Sequence, residues 1–227
     1  MADTPPLKRI RWSHAYRIVP SRFPPVGVFD RIAAPGDLEA LYAIEAMTNP
    51  RLREEMGELQ LVPPERRVSG PGTTPVMAAF THLNPEGSRF SDGSWGVFYA
   101  AHSVATAVEE TVYHRELFLA ATSEPPCDIE MRCYSTSIQA KLHDIRGGWK
   151  AEHSPDSYAA GVTLARRLRN AGSDGLVYDS VRHHGGECVA VFYPDRVAPC
   201  VQAQHLMYRW DGKRIAQVLT VDEWKRG

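Results

Sequence analysis

Residues 88–110 read SRFSDGSWGVFYAAHSVATAVEE, and this stretch predicts a turn, a strand and a helix in direct succession. Ser91–Ser94 has the composition of a turn, and Trp95–Ala101 is an apolar, aromatic run of strand length. Ser103 stands where a helix N-cap belongs. After it, apolar or small side chains recur at helical spacing, at Val104, Ala107, Val108, Thr111 and Val112. The stretch therefore predicts a strand–helix unit.

The same unit carries an arginine, a tyrosine and two carboxylates. Arg89 precedes the predicted strand, Tyr99 lies near its end, and Glu109 and Glu110 lie two turns into the helix. On a helical wheel the two glutamates flank the apolar stripe at about equal distance, so the wheel does not choose between them. His114 lies one turn beyond Glu110, on the same flank. The unit suits an anionic, aromatic-bearing ligand, although two solvated acids early in a helix are also ordinary.

Composition excludes several classes of function. The chain has 227 residues, with 26 Lys and Arg against 27 Asp and Glu, and this near-neutral balance argues against a nucleic-acid-binding surface. No apolar run approaches the roughly 20 residues that span a bilayer, and the N-terminus lacks the apolar core of a signal peptide. The four cysteines are scattered without metal-ligand spacing, as in reduced thiols. We expect a cytoplasmic protein with no membrane contact.

The strand and helix patterns are mixed, without regular strand–helix–strand repeats, and they predict one α+β domain over residues 1–227. A C-terminal hairpin is predicted at about 204–219, turning at Asp211-Gly212. Strands are predicted at Ala15–Pro20, Asp128–Tyr134, Lys141–Ile145, Leu176–Val181 and Val189–Tyr193, and helices at Asp37–Met47, Arg51–Met56 and Ser154–Asn170.

Three other motifs give weak signals. Ser69–Thr74 is rich in glycine, but it lacks the Gly-Lys-Ser/Thr ending of a phosphate loop, and we predict no helix directly after it. His183 and His184 would point to opposite faces of a strand, and no third ligand accompanies them, so no metal site is predicted. Ser180 lacks the surroundings of a hydrolase nucleophile elbow.

The chain resembles the RES domain family, the toxins of RES–Xre toxin–antitoxin systems. The family pattern has Tyr-Arg in a first strand, an Arg followed by an aromatic residue, an aliphatic–Tyr strand end, Ser-x-x-Thr-Ala-x-x-Glu, and a late Gly-Leu strand ending in Ser. These motifs are found here at Tyr16-Arg17, Arg89-Phe90, Phe98-Tyr99, Ser103–Glu110 and Gly175–Ser180. The chain departs from the pattern at Ser88, where many relatives have Gly, and in the long segment at about 30–85.

This resemblance implies an ADP-ribosyltransferase-like fold with a mixed, mainly antiparallel split sheet flanked by helices. The core would cover about 15–195, with an additional N-terminal segment at about 30–85. The protein would use NAD⁺ as a substrate and need no metal. Glu110 would stabilise the oxocarbenium charge that develops when the nicotinamide–ribose bond breaks, with Arg17 and Tyr99 completing the catalytic set. Arg17 and Arg89 would bind the pyrophosphate, Tyr99 would orient the nicotinamide ring, and Ser180 would bond a ribose hydroxyl or a phosphate.

The resemblance also implies an Xre-type, helix-turn-helix antitoxin that occludes the NAD⁺ cleft. The chain would form a homodimer or a hetero-oligomer with this antitoxin. ADP-ribose would pass to an acceptor, and the segment at about 30–85 favours a target protein, because it could build a recognition surface. One alternative is an NAD⁺ glycohydrolase or phosphorylase that depletes cellular NAD⁺. Another is a non-catalytic nucleotide-binding module.

Overall fold

The structure is a computed structural model that describes residues 3–20, 30 and 57–222. The helices expected at Asp37–Met47 and Arg51–Met56 lie outside the described residues. The described chain forms, in order, β1 (Leu7–Pro20), α1 (Thr74–Thr81), β2 (Phe98–Ala101), α2 (Val104–Thr122), β3 (Cys127–Asp144), α3 (Ala159–Asn170), β4 (Gly175–Asp179), β5 (Glu187–Val191), β6 (Val201–Trp210) and β7 (Ile215–Val221).

The seven strands make one mixed sheet in the order β1-β2-β5-β4-β3-β6-β7. Within the described sheet every pairing is antiparallel except the short parallel contact between β3 and β4. The strand β1 pairs with β3 as well as with β2, so five strands close into a ring, and β6 and β7 extend from β3 as a hairpin. The predicted α+β class with a mainly antiparallel sheet is confirmed.

Two hydrophobic clusters pack on opposite faces of this sheet, because side chains alternate along each strand. In β4, Val177 belongs to one cluster while Leu176 and Tyr178 belong to the other. Helix α1 covers the first face with side chains that include Met77. Helices α2 and α3 cover the second face, where Leu164 of α3 packs in the same cluster as Leu176. The candidate site lies on this second side.

The helix expected from Ser154 begins instead at Ala159. Ser154 has the side chain of a helix N-cap, but a contact with a residue distant in sequence prevents a helix from starting there. The Arg89 guanidinium donates to the backbone carbonyls of Glu152 and Ser154, at 3.0 and 2.8 Å. These bonds hold the segment in a non-helical path, so the helix starts one turn later.

The glycine-rich segment Ser69–Thr74 is followed directly by α1, contrary to the sequence expectation. An acidic side chain already caps the start of this helix, because Asp30 accepts hydrogen bonds from the amide and the hydroxyl of Thr74, at 2.9 and 2.7 Å. Gly72 has a φ of 81°, and a Cβ there would lie 2.5 Å from the Cys200 carbonyl oxygen. The segment is a rigid turn packed against backbone.

The long strand β3 replaces the two separate strands expected at Asp128–Tyr134 and Lys141–Ile145. Its polar middle stays extended because β1 pairs with it through almost its whole length, from Pro20 opposite Met131 to Leu7 opposite His143. The C-terminal hairpin forms as predicted, but its loop has four residues, from Asp211 to Arg214.

No helix in the described ranges is long and apolar enough to cross a membrane.

Candidate active site

The strand–helix unit forms as the sequence indicates. The Ser103 hydroxyl accepts a hydrogen bond from the Thr106 amide at 3.2 Å, which satisfies one of the free donors at the start of α2. The helix continues to Thr122, well beyond the last apolar position of the predicted stripe. The unit therefore presents one flank of a long helix beside the end of β2.

The structure distinguishes the two neighbouring glutamates. The Glu110 Oε1 atom accepts hydrogen bonds from the Ser180 hydroxyl at 2.6 Å and from the Val181 amide at 3.2 Å. No described residue donates to its second carboxylate oxygen, so that oxygen is available to a ligand. Glu109 is exposed and makes none of these contacts. Glu110 is thus the glutamate of the candidate site.

Ser180 is itself held in place by the loop that follows β4. Its Oγ donates to Glu110 and accepts hydrogen bonds from the amides of His183, at 2.9 Å, and Arg182, at 3.3 Å. A hydroxyl with its donor and acceptor capacity used in this way has little freedom to rotate. Ser180 therefore holds the Glu110 carboxylate in place. It acts on a ligand indirectly, by positioning Glu110.

Glu110 lines a cavity of about 710 Å³, within the usual size range of small-molecule sites. Arg89, Tyr99, Tyr158 and Tyr178 line the same cavity. The Arg89 guanidinium is held by two backbone carbonyls and lies 4.8 Å from the centre of the Tyr158 ring. It makes no ion pair with a described residue. The cavity therefore combines a positive charge, a carboxylate and aromatic walls.

Tyr99 contributes its ring to this cavity, because its hydroxyl is already bonded. That hydroxyl lies 2.8 Å from the Ser88 Oγ and accepts a hydrogen bond from the Phe90 amide at 2.9 Å. Burial raises the pKa of Tyr99 to about 12, so the phenol stays neutral at physiological pH. Ser88 thus orients the tyrosine.

Arg17 lies on the other side of Tyr99. Its Nη1 donates to the Tyr99 carbonyl at 3.2 Å, and its guanidinium lies 5.0 Å from the centre of the Phe98 ring. Burial lowers the pKa of Arg17, and its Nε atom has no hydrogen-bond partner. Arg17 lines a second cavity of about 640 Å³, which shares Tyr99 and Ser88 with the first. The two arginines assigned to one pyrophosphate therefore lie in neighbouring cavities.

A small pocket connects Arg17 with the rest of the site. This pocket, of about 110 Å³, is lined by Arg17, Tyr99 and Glu110 together with Tyr178. All five residues selected from the sequence thus meet around Tyr99, either directly or, for Ser180, through its bond to Glu110.

Two tyrosines of the site escaped the sequence analysis. Tyr178 could have been found from the alternation in β4, since it shares a face with Leu176. Tyr158 gives no such signal, because it precedes a helix whose start is displaced.

His183, weighed as a metal ligand, is bonded to the Thr106 hydroxyl at 2.9 Å. Over the described ranges, no three His, Cys, Asp or Glu side chains come together in a way that could hold a metal ion.

The fold and the site define a single-domain α+β protein with a cavity lined by an arginine, a glutamate and tyrosine rings. Comparison with known sequences gives the family: the RES domain profile matches residues 64–211, and the chain belongs to the RES domain family. Arg89, Tyr99, Glu110 and Ser180 lie within the matched range, whereas Arg17 precedes it.

Two individual proteins are similar to this chain. The uncharacterized protein y4oC of Sinorhizobium fredii (strain NBRC 101917 / NGR234) is 33% identical over 213 residues, covering 92% of this chain and 87% of that protein. A chain in the crystal structure of the M. tuberculosis MbcT–MbcA toxin–antitoxin complex is 13% identical, with a TM-score of 0.41, covering 90% of this chain and 87% of that one.

Proposed function

We propose that this protein cleaves the nicotinamide–ribose bond of NAD⁺ and transfers the ADP-ribose group to an acceptor, acting as the toxin of a toxin–antitoxin pair. The observation that carries the proposal is the Glu110 carboxylate, fixed on one oxygen by Ser180 and open on the other, in a cavity with Arg89. Membership of the RES domain family supports the toxin role.

The carboxylate matches the charge that this reaction develops. When the bond between the ribose C1′ and the nicotinamide nitrogen breaks, its electron pair leaves with nicotinamide, which departs neutral, and positive charge grows on the ribose. A carboxylate beside the ribose stabilises this charge only in the transition state, which is the condition for catalysis. Because Ser180 and the Val181 amide already hold Glu110, little reorganisation is needed as the charge appears.

The rest of the cavity matches the other parts of NAD⁺. The pyrophosphate carries two negative charges, and Arg89 offers a guanidinium that no described carboxylate neutralises. Tyr99, Tyr158 and Tyr178 provide aromatic surfaces for stacking against the nicotinamide and adenine rings. Arg17 adds a second positive charge on the far side of Tyr99, where it lines a small pocket together with Glu110.

The test follows both products of the reaction with NAD⁺ labelled in the adenylate part. We expect free nicotinamide from the wild-type protein and release that is slower by about two orders of magnitude or more from Glu110→Gln. Label retained on a protein identifies a protein acceptor, and release without protein labelling identifies water or, if the rate depends on added phosphate, a phosphorylase. Bound but uncleaved NAD⁺ in every condition contradicts the proposal and supports a binding module.

The proposed partner is an Xre-type antitoxin that occludes this cavity. Since Arg89 makes no ion pair with a described residue, we expect the antitoxin to insert an acidic side chain or its C-terminal carboxylate there. The complex should then fail to bind NAD⁺ in calorimetric titration, while the free protein binds it. An inhibited complex that still binds NAD⁺ contradicts occlusion of the site.

A further inference from the structure

The strand β7 leaves one of its long edges open. It pairs with β6 along one edge, from Ile215 opposite Trp210 to Val221 opposite His205, and no described strand lies against the other edge. Its sequence, IAQVLTV, contains no charged residue, proline or glycine. Val218, Leu219 and Val221 are 37%, 39% and 37% exposed.

An open edge of this kind is unusual because it invites pairing with another strand. Proteins normally protect such edges with a lysine, a proline, a bulge or a covering loop. The interior of β7 carries none of these side chains, and its residues from Ala216 to Val221 are exposed. Among the described residues this edge is unprotected and can accept another strand, and charges at its two ends indicate which one.

We infer that β7 pairs antiparallel with β7 of a second copy of this chain, in a two-fold dimer centred on Val218. In that register Val218 faces the partner's Val218, and Ile215 faces the partner's Val221. One position further out, Arg214 of the hairpin loop, whose Nε also lies 3.8 Å from the Asp211 carboxylate of its own chain, faces the partner's Asp222. Two-fold symmetry repeats this opposite-charge pair at the other end. Opposite charges directly across a strand pair are stabilising.

The charges select this register over its neighbours. A two-fold axis perpendicular to the sheet keeps each side chain on its own face, so the allowed centres nearest to Val218 are Gln217 and Leu219. Centring on Gln217 places Arg214 opposite the partner's Thr220, and centring on Leu219 places Asp222 opposite the partner's Ala216. Either shift loses both charge pairs, which makes Val218 the favoured centre.

The predicted interface is small and lies away from the candidate active site. A single pair of seven-residue strands buries an area at the low end for specific complexes, so the dimer should dissociate on dilution. No residue of β7 lines the cavity that contains Glu110. The inference goes beyond the proposed function, because the dimer can form whether or not NAD⁺ is cleaved. Measuring nicotinamide release by the same variants tests the activity separately from dimerisation.

Cross-linking tests the register. In a Cys127→Ser background, Val218→Cys places two thiols opposite each other across the two-fold axis. Ala216→Cys is the matched control, because it lies on the same face of the same strand but would face the partner's Thr220. Mild oxidation should give a disulfide-linked dimer for Val218→Cys only. Cross-linking of neither variant, or of both equally, overturns the inference.

A charge exchange tests the same contact without cross-linking. Sedimentation velocity over a hundredfold range of protein concentration should show a monomer–dimer equilibrium for the wild type. Arg214→Asp and Asp222→Arg should each raise the dissociation constant roughly tenfold, because each creates two like-charge pairs, and the double variant should restore it. A wild type that stays monomeric at every concentration, or single variants that dimerise like the wild type, overturns the inference.

Discussion

At the scale of single residues, the Glu110 carboxylate has a hydrogen-bonded oxygen and an open one, and this asymmetry leads to a direct prediction. Glu110→Gln keeps an oxygen that can accept from Ser180 and Val181 but removes the negative charge. We expect nicotinamide release to fall by about two orders of magnitude or more, the scale on which one electrostatic stabiliser acts, while the thermal unfolding midpoint stays close to that of the wild type.

Glu109→Gln is the matched control, because Glu109 is the adjacent residue and is exposed. It should release nicotinamide at nearly the wild-type rate. Equal losses in the two variants would show that α2 as a whole, rather than the carboxylate facing Ser180, determines the activity.

Arg89 gives a second prediction, about affinity. Arg89→Lys retains the charge but loses the planar donor set that reaches two carbonyls and, in the proposed complex, would also reach the pyrophosphate. Arg89→Ala also loses the charge, and NAD⁺ affinity measured by calorimetric titration should fall by about tenfold to a hundredfold. Arg166→Ala serves as the control, since it removes an exposed arginine paired with Asp92. Unchanged affinity in both Arg89 variants would contradict its contact with the pyrophosphate.

The limits of sequence reasoning at this scale have a physical cause. A helical wheel does not distinguish Glu109 from Glu110, because it shows only the directions of side chains around one helix and not what the rest of the chain places beside them. The contact that separates them comes from Ser180, which is 70 residues away along the chain. Tyr158 was missed because its place in the cavity depends on where α3 begins, and a contact from Arg89 sets that start.

At the scale of secondary-structure elements, α3 packs directly on the backbone that carries Arg89. A Cβ on Gly161 would lie 2.4 Å from the Arg89 carbonyl oxygen. Gly161→Ala should therefore push the helix away from Arg89, destabilise the protein by roughly 1–3 kcal/mol despite the better helix propensity of alanine, and weaken NAD⁺ binding.

Gly148→Ala is the control for this substitution, because nothing lies within 4 Å of a Cβ at Gly148. Its free energy of unfolding in urea should match that of the wild type within about 0.5 kcal/mol. If Gly161→Ala is equally neutral, the close packing of α3 on Arg89 does not constrain the site.

The end of β3 gives a prediction about acid stability. Asp144 accepts hydrogen bonds from the amide and guanidinium of Arg146 and forms an ion pair with Lys8 of β1 at 2.8 Å. The Arg146 side chain, followed by Lys8, holds the pKa of Asp144 well below its usual value. Because the unfolded chain takes up this proton first, the stabilisation is complete above about pH 4 and is lost as the pH falls further.

Asp144→Asn should accordingly lower the free energy of unfolding by about 2 kcal/mol at pH 7. The difference from the wild type should shrink as the pH falls below about 4, because the wild-type carboxylate is then being protonated. Asp156→Asn, at an exposed position before α3, should change little at either pH. Chemical denaturation at a series of pH values measures both effects.

The start of a helix is predictable from the sequence when the capping residue bonds only to its neighbours along the chain. Ser103 caps α2 as predicted because its hydroxyl needs only the amide three residues later. Ser154 carries an equally good signal, yet the helix starts at Ala159, because backbone carbonyls before it are bonded to Arg89.

At the scale of the whole molecule, the proposed toxin role predicts a cellular effect. Expression of the wild-type chain alone should arrest growth, and Glu110→Gln should not, although both accumulate as folded protein. Co-expression with an Xre-type antitoxin should restore growth and abolish NAD⁺ binding in the purified complex. Growth arrest that is equally strong with Glu110→Gln would show that the toxicity does not come from this carboxylate.

The α+β class follows from a mixture of strand and helix patterns without regular alternation, but the closure of the sheet does not. The ladder between β1 and β3 joins Leu7 to His143 and Pro20 to Met131. No short-range pattern specifies such a pairing, since the residues that select it lie in distant parts of the chain. This ladder also explains why β3 is one long strand.

The hydrogen bond between Ser180 and Glu110 has a further consequence for the order of events during synthesis. Ribosomes add about 5–20 residues per second, so Ser180 is made about 4 to 14 s after Glu110, which precedes it by 70 residues. Until β4 and its following loop have left the ribosome, the Ser180 and Val181 donors to the carboxylate are missing, and so is the parallel contact of β4 with β3. The nascent chain therefore cannot carry a complete site, and any toxicity begins only after most of the protein has been translated.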